Sequence, residues 1–265
     1  MKVMIMGFGT MGKTYANSFI SSRFILPKDI FAVVKDKASV IFDSIPRDNF
    51  SDKVTSKIGE FDILILAVKP QDFLQLAQSI KPFLKQNQII LSVMAGVTIA
   101  SIDRELGCSR IVRAMPNVAS QIGKGMTVFT VSAKVDRKEL FITQNLINTT
   151  GKSIYVENEK LIDAATAISG SGPAYVFFFI NSMVKVAQEL GFSLSEAELL
   201  VNQTFMGSVD LQSSSSISNE DWIKKVASKG GTTEQALKIF EEKKVEESII
   251  LAIKAANKRA SELGT

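Results

Sequence analysis

Three short segments of this chain carry residue types at spacings that can do chemistry. The first is Gly7-Phe8-Gly9-Thr10-Met11-Gly12, which has G-x-G-x-x-G spacing directly after an apolar strand and at the opening of a helix. In that context the first glycine makes a tight turn, the second lets backbone approach a pyrophosphate, and the third lets helix and strand pack. The segment is a candidate dinucleotide seat; the alternative is a tight turn with no ligand. The second is Lys35-Asp36-Lys37, at the end of the next strand. An acid there suits an adenosine ribose diol, and cations suit a 2′-phosphate. Lys35 and Lys37 flank Asp36, which favours NADPH, with NADH as the alternative. The third is Ser228-Lys229-Gly230-Gly231-Thr232-Thr233-Glu234-Gln235, ahead of a long helical pattern. Thr232 and Gln235 have the spacing of a capping box. The unpaired amides and dipole of a helix start suit a small anion. The alternative is an ordinary capped helix.

Further candidates fall at predicted strand ends, where ligands bind in open α/β sheets. They are Ala67-Val68-Lys69-Pro70, then Ala95-Gly96, then Arg113-Ala114-Met115-Pro116-Asn117. Ser169-Gly170-Ser171-Gly172-Pro173 opens a later helix, with Pro173 at a position where its missing N–H does no harm. Its small residues permit close approach of a ligand or a neighbouring segment.

The elements that must position these residues alternate in the first half. Strands are predicted at Lys2–Met6, Ile30–Val34, Phe61–Val68, Gln88–Val93, Arg110–Met115, Met126–Val131 and Ser153–Val156. Helices are predicted at Met11–Ser22, Gln71–Lys85, Ile99–Leu106 and Arg137–Thr149. Such alternation predicts an α/β fold with a Rossmann-type, doubly wound parallel sheet. After Val156 the apolar spacing is helical throughout: Leu161–Ala167, Pro173–Leu190, Ser195–Leu211, Asp221–Ala227 and Thr233–Leu263. The expected division is a dinucleotide-binding domain over 1–157 and an all-helical domain over 158–265. The helical half is rich in apolar faces such as Phe177-Phe178-Phe179 and Ile249-Ile250, which points to a homo-oligomeric interface.

Composition narrows the chemistry. Among 265 residues there is no histidine, which excludes a histidine base, a histidine relay and histidine-ligated zinc. Cys108 is the sole cysteine, so no intrachain disulfide forms. No metal site is expected. A net charge of +4 is mild and does not call for nucleic acid. Val3–Met6 is shorter than a signal h-region of about 7–15 residues. The apolar stretch 174–180 breaks at Asn181, Ser182 and Lys185, well short of the roughly 20 residues of a membrane span. The expectation is a cytoplasmic protein without membrane or nucleic-acid partners.

Taken in order, the Gly7–Gly12 loop, Ala67-Val68-Lys69-Pro70-Gln71, Ala95-Gly96-Val97-Thr98-Ile99, Met115-Pro116-Asn117, Ser169–Tyr175 and Ser228–Thr233 resemble pyrroline-5-carboxylate reductases from the first strand to the last helix. The resemblance implies reduction of L-1-pyrroline-5-carboxylate to L-proline, the last step of proline biosynthesis. It also implies a helical C-terminal dimerisation domain that interlocks in a homodimer, often assembled further into rings of dimers. Carried over, Gly7, Phe8, Gly9, Thr10, Met11 and Gly12 with Ala67, Val68, Lys69 and Pro70 would contact cofactor, and Ala95 and Gly96 would lie beside the nicotinamide. Gly230, Gly231, Thr232 and Thr233 would hold substrate, with Thr233 as the catalytic candidate. The position at which many relatives carry an asparagine against the adenosine holds Val54.

A cyclic imine suits a chain without histidine. It is basic enough to take a proton from solvent, after which its carbon accepts hydride and the protein's task is orientation. The enzyme alternatives are a related imine reductase or a β-hydroxyacid dehydrogenase. The latter places a lysine four residues after a G-x-G at the interdomain helix, and that position here is Val176. A nucleotide-binding scaffold protein without catalysis is the alternative from another class.

Overall fold

In the computed structural model, residues 1–262 are described. Eight strands form one sheet: β1 (Val3–Met6), β2 (Ile30–Val33), β3 (Phe50–Ser51), β4 (Ile63–Leu66), β5 (Ile89–Ser92), β6 (Ile111–Met115), β7 (Gly125–Val131) and β8 (Gly151–Tyr155). Their order is β3-β2-β1-β4-β5-β6-β7-β8. Every predicted strand is present: the first five are trimmed at one or both ends, β7 gains Gly125, β8 begins two residues early and ends one early, and β3, two residues long, was not foreseen. All pairings are parallel except β6 with β7. Only a short 3-10 turn at Val118–Ile122 separates those two strands, too little chain for a parallel crossover.

Helices α1 (Thr10–Ser21), α2 (Phe73–Ile80), α3 (Ile99–Leu106) and α4 (Arg137–Asn148) cover this sheet. Side chains alternate across the strands. Val3 and Ile5 join Tyr15, Phe19, Ile63 and Leu146 in one core. Met4 and Met6 join Leu64, Phe73, Ala77 and Ile102 in the other. Helix starts and stops are written locally. Thr98 Oγ1 accepts from the Ser101 amide and Gly107 closes α3 at φ 65°, while Asp136 and Glu139 form a capping box on α4.

Helices α5 (Lys160–Ala165), α6 (Gly172–Glu189), α7 (Leu194–Ser213), α8 (Asn219–Val226), α9 (Thr232–Glu242) and α10 (Val245–Glu262) make up the rest. The single long helix expected over Thr233–Leu263 is two, because Lys244 takes a left-handed φ of 51° between α9 and α10; Leu263 lies outside the described residues. The chain divides into two compact units, Met1–Pro173 with the end of α10 from Ala256, and Ala174–Ala255. Helix α5 thus groups with the sheet, beyond the expected boundary at 157. The reason is ionic: Arg113 on β6 is buried and pairs with Glu159 at 2.9 Å and Asp163 at 2.6 Å. In the second unit Val184 of α6 packs with Ala197 and Val201 of α7.

A π-helical turn, Thr166–Gly170, joins α5 to α6, so Lys160–Glu189 is one helical run of 30 residues. An 18-residue window of it has a mean hydropathy of 1.2, so by length and composition alone the run could cross a membrane, which corrects the expectation that no segment reaches that length.

Candidate functional site

The first candidate region lies at the C-terminal ends of β1, β2 and β4. A cleft of about 760 Å³ opens there, lined by Gly7, Phe8, Gly9, Lys13, Lys35, Asp36, Ser39, Asp52, Ala67, Val68, Lys69 and Asp72 among others. Its floor is the turn after β1. The Gly7 amide donates to Val33 O at 2.9 Å, which ties the turn to β2. Gly7 has φ 91°, and a Cβ there would lie 2.8 Å from Ala67 O. A Cβ on Gly12 would run into Gly7 O. Phe8 anchors the loop edge-on against Phe42 and Phe50, with ring centroids 5.0 and 5.1 Å away.

This loop fits a dinucleotide. Gly9 has nothing within 4 Å of where a Cβ would be, so its backbone is open to a ligand. Gly9 is also the N-cap of α1, which has no side-chain cap and no acid in its first turn. A helix of 12 residues thereby presents its positive end unneutralised, as a pyrophosphate requires.

The predicted residues divide. Gly7, Phe8, Gly9, Lys35, Ala67, Val68 and Lys69 meet in the cleft. Thr10 lines an adjoining hollow with Thr14 and Gln121, which shares Phe8, Gly9 and Lys13 with the cleft. Met11 packs on the core, and Gly12 is buried beneath the turn. Pro70 opens the 3-10 turn that carries Asp72. Ala95 and Gly96 follow β5 and do not line the cleft. Lys37 does not line it either: it borders another hollow with Asp48 and Lys53, and its carbonyl accepts from Arg47. Of the two lysines that flank Asp36, Lys35 is the one that lines this cleft. The Asp36 carboxylate accepts the Ala38 amide at 2.8 Å. Sequence reasoning missed Lys13 and Asp72. Lys13 lies one helical turn past Gly9, and that spacing was the available signal.

The β6 end serves a structural role. Asn117 Oδ1 accepts the Met126 amide at 3.2 Å, and Asn117 Nδ2 donates to Ser169 O at 3.0 Å. Met115 packs on Gly170, where a Cβ would come within 2.7 Å of its Cε. Two reactive groups are silenced by burial, which pushes the Cys108 thiol and the Tyr15 hydroxyl up from their usual ranges. Among the described residues no cluster of His, Cys, Asp and Glu could hold a metal ion.

The second region is the start of α9, in the other unit. Its N-cap is Gly231, with no side-chain cap, so the expected box of Thr232 with Gln235 does not form. Thr232 is already the first helical residue. Instead Glu234 reaches back, and its Oε2 accepts the Gly230 amide at 2.6 Å. Gly230 takes φ 73°, and the Gly231 amide donates to Ser228 O at 3.0 Å. The first intrahelical bond runs from the Gln235 amide to Gly231 O, leaving the amides of Thr232, Thr233 and Glu234 without intrahelical partners. Thr233 is half-buried and Thr232 exposed.

Known proteins match both regions. Residues 2–96 match the family described as NADP oxidoreductase coenzyme F420-dependent, and residues 159–263 match pyrroline-5-carboxylate reductase dimerisation. Pyrroline-5-carboxylate reductase 2 of Bacillus subtilis (strain 168) is 34% identical over 99% of this chain and 95% of its own length. The chain belongs to the pyrroline-5-carboxylate reductase family. The reductase of Aquifex aeolicus (strain VF5) is 33% identical over 99% of this chain and 97% of its own. The crystal structure of Plasmodium falciparum pyrroline carboxylate reductase with NADP bound superposes with a TM-score of 0.91, at 27% identity, covering 100% of this chain and 98% of that one.

Proposed function

We propose that the protein reduces L-1-pyrroline-5-carboxylate to L-proline, using NADPH with NADH as the alternative donor. The observation that carries this reading is agreement over 99% of the chain with a reductase named for that substrate. When bound, the nicotinamide supplies the hydride. The chain's own residues bind and orient. Gly7 and Gly9 admit a pyrophosphate to the α1 start, Lys13 and Lys69 offset its charge from the cleft walls, and Lys35 stands beside Asp36 for a 2′-phosphate. Ala95 and Gly96 offer small residues to the nicotinamide.

The α9 start holds the substrate carboxylate on the unpaired Thr232 amide, with the Gly231 amide joining once it turns from Ser228 O. The Thr233 hydroxyl donates to the ring nitrogen or the carboxylate and fixes which carbon is presented. Full use of the third proposed amide, on Gly230, requires Glu234 to let go of it. The proton reaches the imine from solvent, since no histidine exists and neither Cys108 nor Tyr15 exchanges one readily. The domain boundary near 157 is kept as the functional division, with α5 counted as the tether of the helical half.

The exposed apolar side chains of α6 and α10, including Phe177, Phe178 and Leu251, are assigned to a homodimer interface that covers them with a second copy instead of lipid. Assembly beyond the dimer and a cytoplasmic location belong to the same reading. The deciding assay follows NADPH oxidation by pyrroline-5-carboxylate and by hydroxyacids. Turnover of the imine with proline as product supports the reading, and turnover of hydroxyacids alone overturns it.

A further inference from the structure

Lys35 Nζ lies 3.0 Å from Asp72 Oδ2. The two residues belong to opposite walls of the cleft. Lys35 follows β2, and Asp72 follows β4 at the foot of α2, while β2 and β4 flank β1 on its two sides. The pair therefore spans the crevice above the strand that carries the glycine loop. Its side chains are 86% and 32% exposed, so the contact opens readily. Asp72 serves no other visible purpose there: as N-cap of α2 it makes no side-chain cap bond. Lys35 is also the only one of the two lysines beside Asp36 that reaches this cleft.

We propose that Asp72 is a cofactor-specificity residue, which engages Lys35, the lysine beside Asp36 in this cleft, and so narrows the preference for NADPH over NADH. This rests on the dinucleotide reading of the cleft. With Lys35 paired to Asp72, a 2′-phosphate must displace a carboxylate before it gains the ammonium, and a ribose diol faces no such competition. An exposed pair shifts an equilibrium by no more than about fivefold, which sets the size of the effect.

The test uses the intact protein and titration calorimetry with 2′,5′-ADP and 5′-ADP. Asp72→Asn, which keeps a good helix-cap residue, should tighten 2′,5′-ADP about three- to fivefold and change 5′-ADP less. Lys35→Met should erase the difference between the two nucleotides, and adding Asp72→Asn to it should then shift both equally. Equal tightening of both nucleotides by Asp72→Asn alone overturns the proposal. So does a selective gain for 2′,5′-ADP that persists in the Lys35→Met background. Failure of either nucleotide to bind the unmodified protein overturns the cofactor reading itself, and the proposal with it.

Discussion

The glycine loop after β1 and the glycine pair before α9 both prepare backbone for an anion, and they do it by opposite means. Gly7 and Gly12 are excluded from carrying a side chain by their neighbours: Ala67 O stands against one and Gly7 O against the other. Phe42 and Phe50 hold Phe8 between those glycines, and the Val33 carbonyl fixes the turn. That seat is shaped by tertiary packing and exists before any ligand arrives. Gly230 has open space around it, and its need is conformational, a φ of 73°. What orders it is local: Ser228 O on the next amide and Glu234 on its own. The first seat is built by the sheet and the second by seven residues of sequence, so a change in the first should propagate and a change in the second should stay put.

The largest effect is expected where packing rules. Gly12→Ala pushes a methyl into Gly7 O, and should weaken cofactor binding or fold stability by at least about 3 kcal/mol, more than a hundredfold. Calorimetry and a thermal melt measure both; an unaffected variant would mean that the loop is not preformed. Next comes Thr233→Ala, which removes one hydrogen bond to substrate worth about 1–3 kcal/mol, a ten- to hundredfold loss in kcat/KM. Thr233→Ser should recover most of it, with NADPH affinity unchanged in both variants. Gly230→Ala meets no neighbour and only forces a side chain into the left-handed region. It should raise KM roughly fivefold, for about 1 kcal/mol, and leave the melt nearly where it was. The same loss of stability as in Gly12→Ala would erase the distinction between the two seats. The smallest change is Glu234→Gln, which removes an exposed negative charge beside the substrate carboxylate. It should lower KM about two- to threefold, and a raised KM would show that Glu234 orders the seat more than it obstructs it.

Much of the first seat was legible in the sequence because its signals are short-range and steric. Glycine spacing after an apolar strand specified the turn, and the limits of α3 are those expected, with Thr98 and Gly107 marking its ends. What was not legible depends on partners distant in sequence or on single backbone angles. Asp72 and Lys35 are 37 residues apart and meet only because β1 lies between their strands. Lys244 breaks the last helix without a glycine or proline to announce it. At α9 the cap pattern was misplaced by one residue. Both Glu234 and Gln235 can reach back to an amide, and the left-handed turn at Gly230 selects Glu234. Arg113 reads in sequence as one more strand-end cation, and its burial against Glu159 and Asp163 needs the fold.

The central claim is that the α9 start recognises the carboxylate of a cyclic imine that is then reduced at the expense of NADPH. It is tested most directly by comparing pyrroline-5-carboxylate with 1-pyrroline, which lacks only the carboxylate, in the same NADPH-oxidation assay. The account predicts proline as product and a kcat/KM for 1-pyrroline at least about tenfold lower, the loss of one charge-assisted hydrogen-bonded group. Equal kcat/KM for the two imines would contradict it.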